Sequence, residues 1–146
     1  MSPRYVLDAS VAVKWFTRHE EPDRKTALLL RNMHQKGQCT LVLPESGLLE
    51  ILNAVRYSGG AGEGDILEAA DLLRKLHLEI LSLDWSLLRE AVVVAWATKI
   101  TLYDALYVAL AERLQCLLLT ADEVLVSKVK GRPLVRSLAA FTPALD

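Results

Sequence analysis

At 146 residues and a formal net charge of −1, the chain has the length of one ordinary domain and no long-range pull on nucleic acid. Any hold on phosphates must therefore come from a local basic patch or a bound cation. Apolar residues make up 52% and mean hydropathy is +0.24, yet charges break every apolar run well short of the roughly 18 residues a membrane span requires.

The opening Met1-Ser2-Pro3-Arg4-Tyr5 has no apolar segment with a small-residue cleavage site, so no secretion signal is read and a cytoplasmic protein is expected. Runs of four or five apolar residues then alternate with longer helical patterns, which predicts β-α units around a parallel sheet. The predicted strands are residues 5–7, 40–43, 78–81 and 116–120, with 134–135 as a weak fifth. The predicted helices are residues 22–36, with Ala27, Leu28 and Leu30 on the apolar face, then 48–56, 66–76, 87–98 and 102–114. Residues 58–64 hold four glycines in seven positions and predict a turn between two helices. With no linker or repeat, one domain is expected over residues 1–146. Cys39 and Cys116 each head an apolar run and read as small core residues.

Four acids stand in apolar settings: Asp8 after Tyr5-Val6-Leu7, Glu50 in Leu48-Leu49-Glu50-Ile51-Leu52, Asp104 in Tyr103-Asp104-Ala105-Leu106, and Asp122 after Leu117-Leu118-Leu119-Thr120-Ala121. Acids belong at the surface unless compensated. If the fold gathers these four, two carboxylates roughly 4 Å apart repel by about 1 kcal/mol in water and about 4 kcal/mol at an effective dielectric near 20, so a hard divalent cation is the natural guest. Ligands of an open parallel sheet bind beyond the carboxyl ends of its strands, where Asp8 and Asp122 fall. Asp104 begins an apolar helix, and Glu50 lies in a helix that starts after Pro44. Ser10 and Thr120, each two residues from an aspartate, are supporting candidates through their hydroxyls. Asn53, three residues after Glu50 on the same helix face, is a third.

The segments Val6-Leu7-Asp8-Ala9-Ser10, Pro44-Glu45 with Leu49-Glu50-Ile51-Leu52-Asn53-Ala54-Val55-Arg56, Tyr103-Asp104-Ala105-Leu106-Tyr107-Val108-Ala109-Leu110-Ala111, and Leu118-Leu119-Thr120-Ala121-Asp122 together resemble a PIN-domain ribonuclease. The likeness is closest to the VapC-type toxins of toxin–antitoxin pairs. It implies a three-layer α/β/α fold with a central parallel sheet of four to five strands. It also implies an Mg²⁺ or Mn²⁺ site made by Asp8, Glu50, Asp104 and Asp122, and hydrolysis of RNA by a water that the metal activates. A cognate antitoxin and a homodimer follow from the same resemblance, with residues 48–56 and 66–76 as the expected contact helices.

The basic residues that hold RNA are fixed by no motif; Lys14, Arg56, Lys128, Lys130 and Arg132 are the candidates. His19, His34 and His77 share no spacing that suggests a site. Trp15, Trp85, Trp96, Tyr103 and Tyr107 read as packing residues, Tyr107 least securely because it lies one turn from Asp104. Glu90 is explained by Arg89 and a helix surface. The competing readings are a PIN nuclease outside a toxin pair, acting in RNA processing or on DNA, and an inactive PIN-fold binding module. A receiver domain would want an acidic pair where Asp8-Ala9 stands, and an aspartate-nucleophile phosphatase would want a second aspartate at Ser10.

Overall fold

In the computed structural model, which describes residues 2–17, 21 and 23–143, the most apolar runs become interior strands. Tyr5-Val6-Leu7, Leu41-Val42-Leu43 and Leu118-Leu119 are buried, as strands covered on both faces must be. They belong to β1 (Arg4–Leu7), β2 (Thr40–Pro44) and β4 (Leu117–Thr120); β3 (Glu79–Leu81) and β5 (Val135–Ser137) close the two edges. All pairs are parallel, in the order β3-β2-β1-β4-β5. The edges are more polar, and Arg4 reaches across β2 to pair with Glu79, Nε to Oε2 at 3.2 Å.

The helices are α1 (Ala9–Ala12), α2 (Arg24–Gln35), α3 (Glu45–Arg56), α4 (Glu63–Lys75), α5 (Trp85–Thr98), α6 (Leu102–Leu114) and α7 (Glu123–Lys128), giving a three-layer α/β/α arrangement. α6 is buried from Ala105 to Ala111 with no polar stripe, as expected of a helix enclosed on all sides; it packs on β1, β2, β4 and α5. Residue 22, the expected start of the first predicted helix, lies outside the described residues, as does His19.

Helix starts differ from expectation where a cap decides them. α3 begins at Glu45 rather than residue 48, because Pro44 is extended (φ −70°, ψ 152°) and an acid suits the first turn. α4 begins inside the glycine stretch, where the Asp65 carboxylate accepts from the Gly62 N–H at 2.8 Å. Asp84 starts α5 by accepting from the Leu87 N–H at 2.6 Å. Gly59 and Gly60 adopt φ of +90° and +75°, so this stretch is a turn that needs glycine.

Two packing expectations are corrected. Trp15 and Tyr107 are buried, but Trp85 (84% exposed), Trp96 (86%) and Tyr103 (67%) face outward. On α5 the inward positions are filled by Leu87, Ala91 and Val94, which leaves both tryptophans on the opposite side. Glu90 pairs with Arg113 at 3.2 Å, not with Arg89. Cys39 and Cys116 are both free thiols. No single helix among the described residues is long and apolar enough to cross a membrane.

Candidate active site

The strand order reverses beside β1, which pairs with β2 on one side and β4 on the other, and this is where an open parallel sheet leaves a crevice at its carboxyl edge. Asp8 follows β1 directly and is 6% exposed; its N–H donates to the Leu119 carbonyl of β4 at 3.0 Å. Its Oδ2 accepts from the Ser10 hydroxyl at 2.6 Å and from the Thr120 hydroxyl at 2.9 Å. Each hydroxyl oxygen also accepts from the turn after β4: Ala121 N–H to Ser10 at 3.0 Å, and Asp122 N–H to Thr120 at 3.0 Å. Ser10 and Thr120 thus stitch β1 to β4 through Asp8, and Thr120 serves Asp8 rather than the carboxylate of its neighbour Asp122.

Asp122 caps α7, its Oδ1 accepting from the N–H groups of Val124 and Leu125 at 3.0 and 3.1 Å. Asp104 lies in the first turn of α6, its N–H donating to the capping Thr101 hydroxyl at 3.2 Å. Glu50 comes from the middle of α3, and its Oε2 accepts from the Tyr107 hydroxyl of α6 at 3.2 Å. Its other oxygen, Oε1, is buried without a hydrogen-bond partner among the described residues. Asn53 makes no such bond and is exposed. The sequence had pointed to Asn53; the available signal for Tyr107 was its spacing three residues from Asp104 on one helix face.

Asp8, Glu50 and Asp104 each feel the charge of at least one other acid of the set. Burial, then the hydrogen bond from Tyr107 in the opposite sense, then the charges of Asp8 and Asp104 set the Glu50 pKa, which rises from 4.5 to about 7. Asp8 is raised by burial and by Asp122, against the lowering effect of its two hydroxyl donors. Asp104 is raised by burial, Asp8 and Asp122, and lowered by Thr101 and Lys128. Burial and the Glu50 and Asp8 carboxylates push the Tyr107 phenol up, so it remains a donor.

Among the described residues, no three His, Cys, Asp or Glu side chains already stand in ligating arrangement around one point. Hydrogen bonds already engage one oxygen of Asp8, Oδ2, and one of Asp122, Oδ1. The donor set itself is all oxygen, and the partnerless Glu50 Oε1 is the kind of atom a hard cation satisfies.

Asp104 and Asp122 line an open cleft of about 310 Å³ together with Thr101, Lys99 and Lys128. Lys99, which sequence reasoning did not single out, ends α5 in the left-handed region (φ 58°). Of the other basic candidates, Lys14 pairs with Glu21, Arg56 lies over the Tyr57 ring at 5.4 Å, Lys130 is exposed, and Arg132 forks onto Glu112 at 2.7 and 2.9 Å. A larger hollow of about 1000 Å³ lies between α5 and α6, beside Val92, Val93 and Arg113; its carboxylates, Glu90 and Glu112, are each paired with an arginine. The chemistry therefore points to the smaller cleft.

Solved structures share this architecture. PAE2754 from Pyrobaculum aerophilum is 24% identical with a TM-score of 0.64, the match covering 94% of this chain and 91% of that one. VapBC2 from Rickettsia felis, solved bound to a DNA fragment from its promoter, is 16% identical with a TM-score of 0.66, covering 92% and 98%. VapC20 of Mycobacterium tuberculosis, described as a sarcin–ricin loop cleaving toxin, is 13% identical with a TM-score of 0.65, covering 86% and 95%. At these identities the likeness is one of fold. No curated protein matches the chain. The PIN domain family matches residues 5–131, a span that takes in β1 to α7 with all four acids, and the chain belongs to that family.

Proposed function

We propose that the chain is a metal-dependent endoribonuclease of the VapC type, acting as the toxin of a type II toxin–antitoxin pair. One observation carries the reading: carboxylates from four separate segments are linked by charge, Asp8 acting on Glu50 and Asp104, and Asp122 acting on Asp8 and Asp104, and one buried oxygen of Glu50 lacks a partner among the described residues. Asp8, Glu50, Asp104 and Asp122 would hold Mg²⁺ or Mn²⁺, the hard ions that an all-oxygen set selects. Once bound, such an ion supplies Lewis acidity toward a phosphodiester and lowers the pKa of a water.

The protein's own share is positioning and charge. Ser10 and Thr120 both hold Asp8 through the same oxygen, Oδ2. Lys99 and Lys128 put positive charge at the mouth of the cleft where a phosphate would arrive. Hydrolysis of this kind leaves a 5′-phosphate and a 3′-hydroxyl and has no need of the RNA 2′-hydroxyl. The toxin assignment draws support from the fold shared with VapBC2 and VapC20, and from it follow an antitoxin partner and a homodimer.

The test is cleavage of RNA by the purified chain, with end-sequencing of the products and Asp8→Asn as control. Activity that requires Mg²⁺ or Mn²⁺ and disappears with EDTA is expected; turnover that persists in chelator overturns the mechanism. Induced expression separates the toxin from a PIN nuclease of RNA processing or DNA: growth arrest by the wild type and not by Asp8→Asn is expected of the toxin alone.

A further inference from the structure

We propose that Tyr107 is a positioning residue for the metal site, holding Glu50 by one oxygen so that the other is presented to the cation, and that Gly47 exists to make room for it. The inference rests on the metal-dependent reading above and goes beyond it in naming two residues outside the acidic cluster.

Tyr107 is fully buried in the middle of α6, and its hydroxyl donates to Glu50 Oε2 at 3.2 Å across the gap to α3. A carboxylate on a long side chain rotates freely about its last bonds unless something fixes it, and a phenol on a rigid, buried ring is such a fixture. With Oε2 taken, Oε1 is the atom left buried and partnerless. Burying a charged oxygen with no partner is costly in any fold that does not supply a cation.

Gly47 gives the second, independent observation. It lies in the first turn of α3, where glycine gives the helix less support than alanine would. Its φ is not in the left-handed region, so backbone freedom does not explain it. A Cβ built there would meet the Tyr107 hydroxyl at 2.9 Å, closer than side-chain carbons tolerate, whereas the next atoms, Leu43 Cδ2 and Pro44 Cδ, are at 3.4 and 3.6 Å. The ring is enclosed and has nowhere to swing. The hydroxyl that holds Glu50 is therefore the atom that excludes a side chain at position 47.

Two readouts test this, neither depending on turnover. In Mn²⁺ titrations, Tyr107→Phe, which keeps the ring and removes the oxygen, should weaken binding by about 10- to 100-fold, the usual effect of losing a group that orients a ligand. In metal-free thermal melts, Gly47→Ala should lower Tm in the wild-type background and leave it unchanged or raise it in the Tyr107→Phe background. Mn²⁺ affinity in Tyr107→Phe equal to wild type overturns the positioning role, and an equal Tm loss in both backgrounds overturns the pairing with Gly47. If the wild type itself binds no Mn²⁺, the metal-dependent reading falls, and the melts still decide whether residues 47 and 107 are coupled.

Discussion

Thr120 is buried and spends its proton on Asp8, 112 positions away, while its oxygen receives the Asp122 N–H. Thr120→Val keeps the shape and removes both bonds, so a loss of about 1–3 kcal/mol is expected in urea unfolding. A cost near zero would mean that Ser10 alone suffices to hold Asp8. Glu50 makes a prediction of opposite sign to the usual paired acid. Its folded pKa of about 7 lies above the 4.5 of a free group, so between those values the folded chain binds more protons than the unfolded one. Metal-free stability should therefore fall as pH rises from about 4.5 to about 7 and stay low above that; Glu50→Gln should flatten the slope. Asp8 and Asp104, also raised, keep the remainder. A urea midpoint whose pH dependence is unchanged in Glu50→Gln rules Glu50 out as its source. The acids were legible in the sequence because a carboxylate inside an apolar run is expensive in any fold. Tyr107 was not, because a phenol in an apolar helix reads as packing until its partner is located. Asn53 is exposed and makes no bond to Glu50 among the described residues, because helical spacing fixes which face a residue shares but not which way Glu50 turns from it.

Elements were legible in proportion to their length. The long helices and the interior strands carry enough periodicity or enough unbroken apolar sequence to declare themselves, whereas α1 and α7, of four and six residues, show neither. They begin directly after Asp8 and Asp122, residues that the sequence marked for another reason, and of the two only Asp122 caps its helix with its side chain. His34 illustrates a role no spacing could reveal. The Leu41 N–H donates to its Nδ1 at 3.1 Å and its Nε2 reaches the Leu76 carbonyl at 2.9 Å, tying α2 to β2 and to the end of α4. The first bond fixes Nδ1 as the acceptor, so Nε2 carries the proton. His34→Ala should cost about 2 kcal/mol by stranding two backbone groups, measured by denaturant unfolding. At the α7 end of the cleft, Lys128→Ala with Lys130→Ala should weaken RNA binding and reduce the slope of its logarithm against salt by about 1–2, while Arg132→Ala, whose guanidinium is already on Glu112, should change that slope less. An unaltered slope in the lysine double variant moves the contact surface elsewhere.

At the scale of the whole molecule, the parallel sheet followed from alternating patterns and the three layers from the family resemblance, but the surface followed from neither. The two exposed tryptophans fall on α5, while Leu49, Leu67 and Leu72 are exposed on the two helices expected to carry self-association. For the proposed homodimer, Trp96→Glu should shift sedimentation toward monomer and Leu67→Glu should leave it unchanged; the reverse result returns the interface to α3 and α4.

The position of β1 in the sheet also governs when the molecule becomes competent. During synthesis the residues of β2 follow soon after β1, but those of β4, which cover its other edge, emerge more than a hundred positions later. Until then Asp8 lacks the Thr120 hydroxyl, and Asp122 is not yet made. A chain that stops before β4 holds three carboxylates at most and an unzipped centre, so on the proposed reading the cell is exposed to a nuclease only once translation has passed β4 and Asp122.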